Sequence, residues 1–384
     1  MPVNAPHTPL TTRRNAAAPG NRPLRLAIAG GGTGGHLFPG IAIAKEWLDR
    51  NPENRVLFVG TDRPFEKKIL AESGFAHASI TAAGLKGLGL FKKIRALGRI
   101  PRGIAQAAGI LARFGPHVVL GVGGYSSGPV ALAAWLRRTP VVLHEQNLLP
   151  GITNRLLTRF ARRIYLSFGQ TRLARGQAKT LLTGNPVRAE FLSGSGRKDS
   201  PKRPFTVLVS GGSQGAHGIN TAVCAALDDL KNPAGLFFMH QTGATDEQEV
   251  AAAYTRHAIR SEVRPFFYDM AARYHAADLI ICRAGATTVA EVTAMGKAVI
   301  FVPFPFAADN HQVLNARTLV DDGAALMIEE KDLDGQILAG WIDHYYAHPA
   351  ELDRMAALAA TKGNPDAAGM IVDDIYTLLA PNKG

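Results

Sequence analysis

Short apolar runs without polar alternation recur along the chain, each followed by a turn rich in glycine or polar residues and then by a stretch of helical period. Runs at 24–29, 117–121, 140–143, 205–209, 279–281 and 298–302 predict parallel strands covered on both faces. Apolar spacing of three and four predicts helices up to Trp47, over 216–227, 333–346, 349–361 and 367–379. Strand, turn and helix in alternation predict an α/β fold. The densest stretch is 282–316. It reads as a strand end, a turn at Gly285, a helix carrying Thr287, Thr288 and Glu291, and a second strand. A loop stiffened by Pro303 and Pro305 then bears Asp309, Asn310, His311, Gln312 and Asn315. A helix start offers unpaired N–H groups and positive potential to a phosphate, and Glu291 lies one turn further on, within reach of a sugar hydroxyl. Two polar loops at neighbouring strand ends describe a nucleotide-sugar site, although an ordinary βαβ unit with polar caps would also use these residues.

The chain opens twice in the same manner. Residues 30–36, GGGTGGH, follow the first strand and contain G-x-G-x-x-G, with Asp62 beyond the second strand (56–59) as the acid a dinucleotide site would want. Five glycines also make an open, donor-rich turn from which His36 projects, a place for an acceptor and a base to meet. Residues 123–129 form another glycine turn, and 144–147, HEQN, put four polar residues at a strand tip. After 193–204, a linker of Gly, Ser, Lys, Arg and Pro, the pattern restarts with a strand and a glycine turn at 210–215. The expected organisation is a tail (1–23), a first domain (24–192), the linker, and a second domain (205–384), as two doubly wound Rossmann-like domains facing across a cleft.

Composition narrows the partner. With 384 residues, a net charge of +12 and a pI near 9.8, the chain favours an anionic ligand or surface. Only three Trp and eight Tyr are present and no basic–aromatic stripe appears, which argues against nucleic acid. Two cysteines, Cys224 and Cys282, both in apolar surroundings, argue against a disulfide framework and a zinc site, and a cytoplasmic setting is expected. No run reaches the roughly 18–20 apolar residues of a membrane span. Segment 82–102 instead interleaves Leu90, Ile94 and Leu97 with Lys92, Lys93, Arg95 and Arg99. Such a basic amphipathic helix can lie on an anionic membrane, or pack as a surface helix. Asp332 and Asp334 could hold a divalent cation, but they follow a charged run and read as a helix-capping turn.

Taken together, GGGTGGH (30–36), GGYSSGP (123–129), HEQN (144–147), GNPVR (184–188), GGSQGA (211–216), RAGATTVAE (283–291) and DNHQVLNA (309–316) resemble the MurG family. These are peripheral membrane glycosyltransferases that add N-acetylglucosamine to the lipid-linked muramyl-pentapeptide precursor of peptidoglycan. The resemblance implies the glycosyltransferase-B fold, with UDP-N-acetylglucosamine held mainly by the second domain and undecaprenyl-pyrophosphoryl-muramyl-pentapeptide by the first. It further implies a place on the cytoplasmic face of the inner membrane, contact with cell-wall and division machinery, and a last helix free to pack back on the first domain. By resemblance, Thr33, Gly34 and Gly35 face the sugar and diphosphate, Asn147 and Gln312 bind the sugar, and Arg188 and Ser213 the diphosphate. Ala286, Thr287, Thr288, Val289, Ala290 and Glu291 hold phosphate and ribose, and Phe267 stands where an aliphatic residue usually flanks the uracil. His36 is the expected general base, with a pKa near 6.5 matched to neutral pH, and Glu145 the second candidate. No cofactor is required in this reading, a divalent cation being at most stimulatory. A dehydrogenase would leave the second glycine loop and Arg188 without work. The nearer rivals are a glycolipid synthase and a UDP-N-acetylglucosamine 2-epimerase on the same fold.

Overall fold

The computed structural model describes residues 22–82, 100–193, 203–212 and 214–381. β1 (Arg25–Ala29) is buried along most of its length and pairs in parallel with β2 (Arg55–Gly60) on one side and β4 (Val118–Gly121) on the other. With β3 (Ala76–Ser79), β5 (Val141–Glu145), β6 (Arg163–Leu166) and β7 (Thr180–Leu182), they make a seven-stranded sheet of order β3-β2-β1-β4-β5-β6-β7. The second sheet contains β8 (Phe205–Ser210), β9 (Leu236–Gln241), β10 (Ser261–Arg264), β11 (Leu279–Cys282), β12 (Ala298–Phe301) and β13 (Leu326–Met327), in the order β10-β9-β8-β11-β12-β13. Every pairing is parallel. In each sheet the strand order reverses beside the domain's first strand, and ligand crevices form at the carboxyl ends of strands at such a point. This is the α/β, doubly wound arrangement expected of the sequence.

Helices cover both faces of each sheet. In the first domain these are α1 (Gly34–Arg50), α2 (Pro64–Glu72), α3 (Ile100–Phe114), α4 (Ser127–Leu136) and α5 (Ile152–Leu157). Short α6 (Ala189–Leu192) leads across to α7 (His217–Ala226), α8 (Glu247–Arg256), α9 (Met270–Ala276), α10 (Ala286–Met295), α11 (His311–Val320), α12 (Gly335–Ala347) and α13 (Pro349–Ala360). The expected amphipathic helix over 82–102 lies outside the described residues as far as 99, α3 beginning at Ile100. Asp334 caps α12 by accepting from the Ile337 N–H at 2.7 Å, and Asp332 closes a one-turn 3-10 helix before it.

The last helix, α14 (Ala367–Leu379), belongs to the first domain's core. Its Ile371, Val372 and Ile375 are fully buried in one cluster with Leu26, Ile28, Trp47 and Leu120. Tyr376 stacks on Trp47 with ring centroids 4.9 Å apart and accepts from the Asn54 amide at 2.6 Å, and Asp374 pairs with Arg163 at 2.9 Å. The chain therefore crosses between domains twice, and the crossings touch: the Asn364 amide donates to the Thr183 carbonyl at 2.7 Å.

Candidate active site

The glycine loop after β1 runs into α1, whose N-cap Thr33 supplies no side-chain bond to the helix; the Gly34 and Gly35 N–H groups stay open, while that of His36 donates to the Thr33 carbonyl at 3.2 Å. Two contacts require glycine here. Gly31 (φ 152°) lies against the Glu66 carboxylate, where a Cβ would fall 2.7 Å from its carbon. Gly123 (φ 88°) in the second loop leaves room for the His36 ring, which a Cβ would meet at 2.9 Å. Glu66 is nearly inaccessible and accepts from Gly32 N–H (2.6 Å), Thr61 N–H (2.8 Å) and the Thr61 hydroxyl (2.7 Å), tying the loop to α2. Nothing in the local pattern pointed to this role, since Glu66 sits in an ordinary charged helix start.

His36 has its Nδ1 3.1 Å from the Thr33 hydroxyl. Its ring is only partly exposed at the foot of the loop. Burial, with His311 across the cleft adding to it, lowers its pKa from 6.5 to about 4, against a hydrogen bond to the Gly31 backbone. This corrects the expectation of a pKa near 6.5: the ring is neutral throughout the physiological range.

Glu145 is the last residue of β5, at the strand tip, and is almost completely buried. One oxygen accepts from Asn147 N–H at 3.0 Å; the other accepts from Gly151 N–H at 3.0 Å and from the Asn154 amide at 2.9 Å. Burial raises its pKa although all three donors oppose this. The carboxylate organises the 147–151 loop. Its neighbour His144, also depressed to about 4 by burial, is 3.3 Å from the Ser167 hydroxyl and 3.1 Å from Gln146.

From the facing domain, α10 begins at Gly285, which has φ −64° and ψ 145° with no side-chain cap. Extended backbone there needs no glycine; what the missing side chain gives is open space before the helix N-terminus, where the nearest atom a Cβ would meet is 3.9 Å away. The first-turn N–H groups of Ala286, Thr287 and Thr288 suit an anion. Val289 differs from expectation: its N–H is spent on the Gly285 carbonyl at 2.9 Å and its side chain is in the core. Ala290, one residue further into the helix, likewise has its N–H inside the helical ladder. Thr287 donates to the Gly35 carbonyl at 3.3 Å, joining the domains at the loop.

Arg188 and Glu291, 103 residues apart in sequence, form an ion pair at 3.3 Å. Arg188 lies over the rings of Phe38 and Phe191, 4.3 and 4.6 Å from their centroids, and its buried Nε has no partner. Burial lifts the Glu291 pKa to about 7, Arg188 opposing the rise. Neither pattern nor spacing pointed to this pair. Asn315, fully buried, links the domains again: it accepts from Leu148 N–H at 3.1 Å and donates to the Asn147 side-chain oxygen at 3.2 Å. Gln312 is near this contact in sequence but its side chain accepts from Phe304 N–H at 2.9 Å. Phe267 is buried, its ring 4.6 Å from the Arg273 guanidinium, while Tyr268 beside it is three-quarters exposed. Ser213 lies outside the described residues.

The family model for the glycosyltransferase family 28 N-terminal domain matches residues 26–166, and that for the family's C-terminal domain matches 206–371. The UDP-N-acetylglucosamine–N-acetylmuramyl-(pentapeptide) pyrophosphoryl-undecaprenol N-acetylglucosamine transferase of Syntrophus aciditrophicus is 49% identical over 93% of this chain and 99% of its own length. The protein of the same name from Pelobacter propionicus is 46% identical over 92% and 99%. A crystal structure of Acinetobacter baumannii MurG, 32% identical, superposes with a TM-score of 0.73 over 92% of this chain and 100% of that one. The UDP-N-acetylglucosamine 2-epimerase of Neisseria meningitidis shares the fold alone, at 14% identity and a TM-score of 0.66 over 92% and 99%. Matched in both domains and aligned end to end with these transferases, the chain belongs to glycosyltransferase family 28 and, within it, to the MurG family.

Proposed function

We propose that the protein transfers N-acetylglucosamine from UDP-N-acetylglucosamine to the 4-hydroxyl of the muramyl-pentapeptide carried on pyrophosphoryl-undecaprenol, a step of peptidoglycan synthesis. The observation that carries this is the 49% identity to a transferase of that name over 93% of the chain. The epimerase rival shares only the fold. In this reading the donor diphosphate sits on the α10 N-terminus, where helix dipole, open N–H groups and Arg188 meet the negative charge that grows as UDP leaves. Glu291 exchanges Arg188 for the ribose hydroxyls, and Asn147 and Gln312 contact the sugar. His36, neutral at physiological pH, takes the proton of the acceptor hydroxyl in a single inverting displacement, which needs no covalent nucleophile. Two charged diphosphates in the cleft would favour the imidazolium and strengthen this base as the complex assembles.

The membrane is the natural site of a polyprenyl acceptor. Among the described residues no helix is long and apolar enough to cross a bilayer. Docking on an anionic leaflet is supported by the basic amphipathic sequence at 85–100 and by an exposed patch on α4 and α5. There Trp135, Leu136, Ile152 and Leu156 are 47–65% exposed beside the exposed Arg137, Arg138, Arg155 and Arg159. Contact with wall-building and division proteins is proposed on resemblance alone. The direct test is transfer of radiolabelled N-acetylglucosamine to a short-chain analogue of the muramyl lipid. Turnover of the donor without the acceptor would refute the reading.

A further inference from the structure

Behind the first turn of the donor helix, sharing Ala286 with it, lies a cavity of about 300 Å³ whose remaining lining the mechanism above does not use. The first domain supplies one wall, from the ends of β6 and β7 and the first crossing (Ser167, Phe168, Leu182, Asn185). The second supplies the other, from α10 and α11 (Val289, Thr318). The cavity adjoins the active site on both walls. The Ser167 hydroxyl donates to the Glu145 carbonyl at 2.9 Å, two residues before Asn147, and the Thr318 hydroxyl donates at 2.6 Å to the carbonyl of Asn315, which touches Asn147. Its lining mixes hydroxyls, carboxamides and apolar side chains with one ion pair, Lys362 with Asp322. Asn185 is 5% exposed, and neither its amide nitrogen nor its oxygen has a partner in the protein. A buried carboxamide left unpaired is costly, and a peptide bond is its complement, one N–H and one C=O.

We propose that this cavity receives the peptide stem of the acceptor, with Asn185 pairing to a peptide bond near the sugar. The inference rests on the acceptor being a muramyl-peptide. In muramic acid the stem leaves the sugar through the lactyl ether on carbon 3, next to the carbon whose hydroxyl reacts. An enzyme that brings the 4-hydroxyl to a donor must therefore house the first amides of the stem beside its reaction centre. A cavity of this size, walled by both domains and polar at one buried amide, is suited to that. The unbranched muramyl lipid without peptide would leave it empty.

The test compares two acceptors, the short-chain muramyl-pentapeptide lipid and its peptide-free counterpart, in wild type, Asn185→Ala and the cavity-filling Thr318→Phe. UDP affinity, measured by calorimetry, reports that the donor site has kept its shape. The expected result is a fall in kcat/KM on the order of tenfold for the pentapeptide acceptor in both variants, the loss of about one hydrogen-bonded amide. The peptide-free acceptor and UDP affinity should be unchanged. Equal losses on both acceptors would show that the cavity serves domain packing, and no loss on either would show that it holds water only; both overturn the assignment. A wild-type protein that transfers sugar to neither acceptor overturns the proposed activity, and this inference with it.

Discussion

The protonation of His36 gives the sharpest test of the chemical step. Its pKa falls from 6.5 to about 4 because the ring is enclosed between two glycine loops and faces His311. That gap corresponds to ~3 kcal/mol favouring the neutral ring. The sign follows directly. A depressed histidine pKa leaves the fold's full stability in place above 6.5 and withdraws it as pH falls from 6.5 through about 4. For catalysis, the kcat/KM profile reports the free enzyme, so its acidic limb should lie near pH 4 and not near 6.5. The kcat profile reports the loaded enzyme, where bound phosphates favour the cation, and its limb should lie higher. His311→Asn removes one contributor to the depression and should move the kcat/KM limb upward. His36→Ala should abolish both limbs and lower kcat by about 10²–10⁴-fold while UDP affinity is nearly kept. The assay is initial-rate transfer on a water-soluble acceptor between pH 3 and 9, run in a Glu291→Gln background so that the carboxyl titrating near 7 adds no limb, with calorimetry of UDP. A limb that persists in His36→Ala, or affinity falling as far as rate, would make His36 a binding residue.

Three further outcomes are expected. Glu291→Ala should weaken UDP binding by roughly 1.5–3 kcal/mol, the range for hydrogen bonds to a charged group; because the carboxyl titrates near 7, wild-type affinity should decline below that pH while Glu291→Gln shows a flat profile in calorimetry. Ile375→Ala, at a fully buried position of α14, should cost ~2–5 kcal/mol, read as an earlier urea transition of the first domain's tryptophan signal; an unchanged midpoint would mean that α14 adds little to that core. Replacing Lys92, Lys93 and Arg95 by Gln should weaken sedimentation with anionic vesicles by about 1 kcal/mol per charge and spare activity on soluble acceptors. Unchanged sedimentation would return the segment to an ordinary surface helix.

The sheet interiors were legible because β1, β4, β8, β11 and β12 are covered on both faces and must be apolar throughout. β3 (AHAS) and β10 (SEVR), at the free edges, bury only part of themselves and carry no such run, so only pairing with their neighbours identifies them. The loops of the site were visible as glycine turns at strand ends. Their wiring was not. Asn315 meets Asn147 only because two separately folded sheets face one another, and Arg188 meets Glu291 only because Val187 and Phe191 beside it pack into the second domain's core, relations no local spacing encodes. Burial was equally hidden: Glu145 and His36 look like free catalytic groups as letters, and the structure encloses one and depresses the other.

The return of α14 to the first domain has a consequence for biosynthesis. Residues 24–192 emerge from the ribosome first, yet the pocket beside Trp47 and Asn54 stays unfilled until the final helix, residues 367–379, has been made. The early domain must then wait through the synthesis of the late one with an apolar seam open to solvent. Synthesis of α14 thus seals a part of the molecule made much earlier, and a nascent chain stalled short of α14 would present that seam to chaperones and proteases.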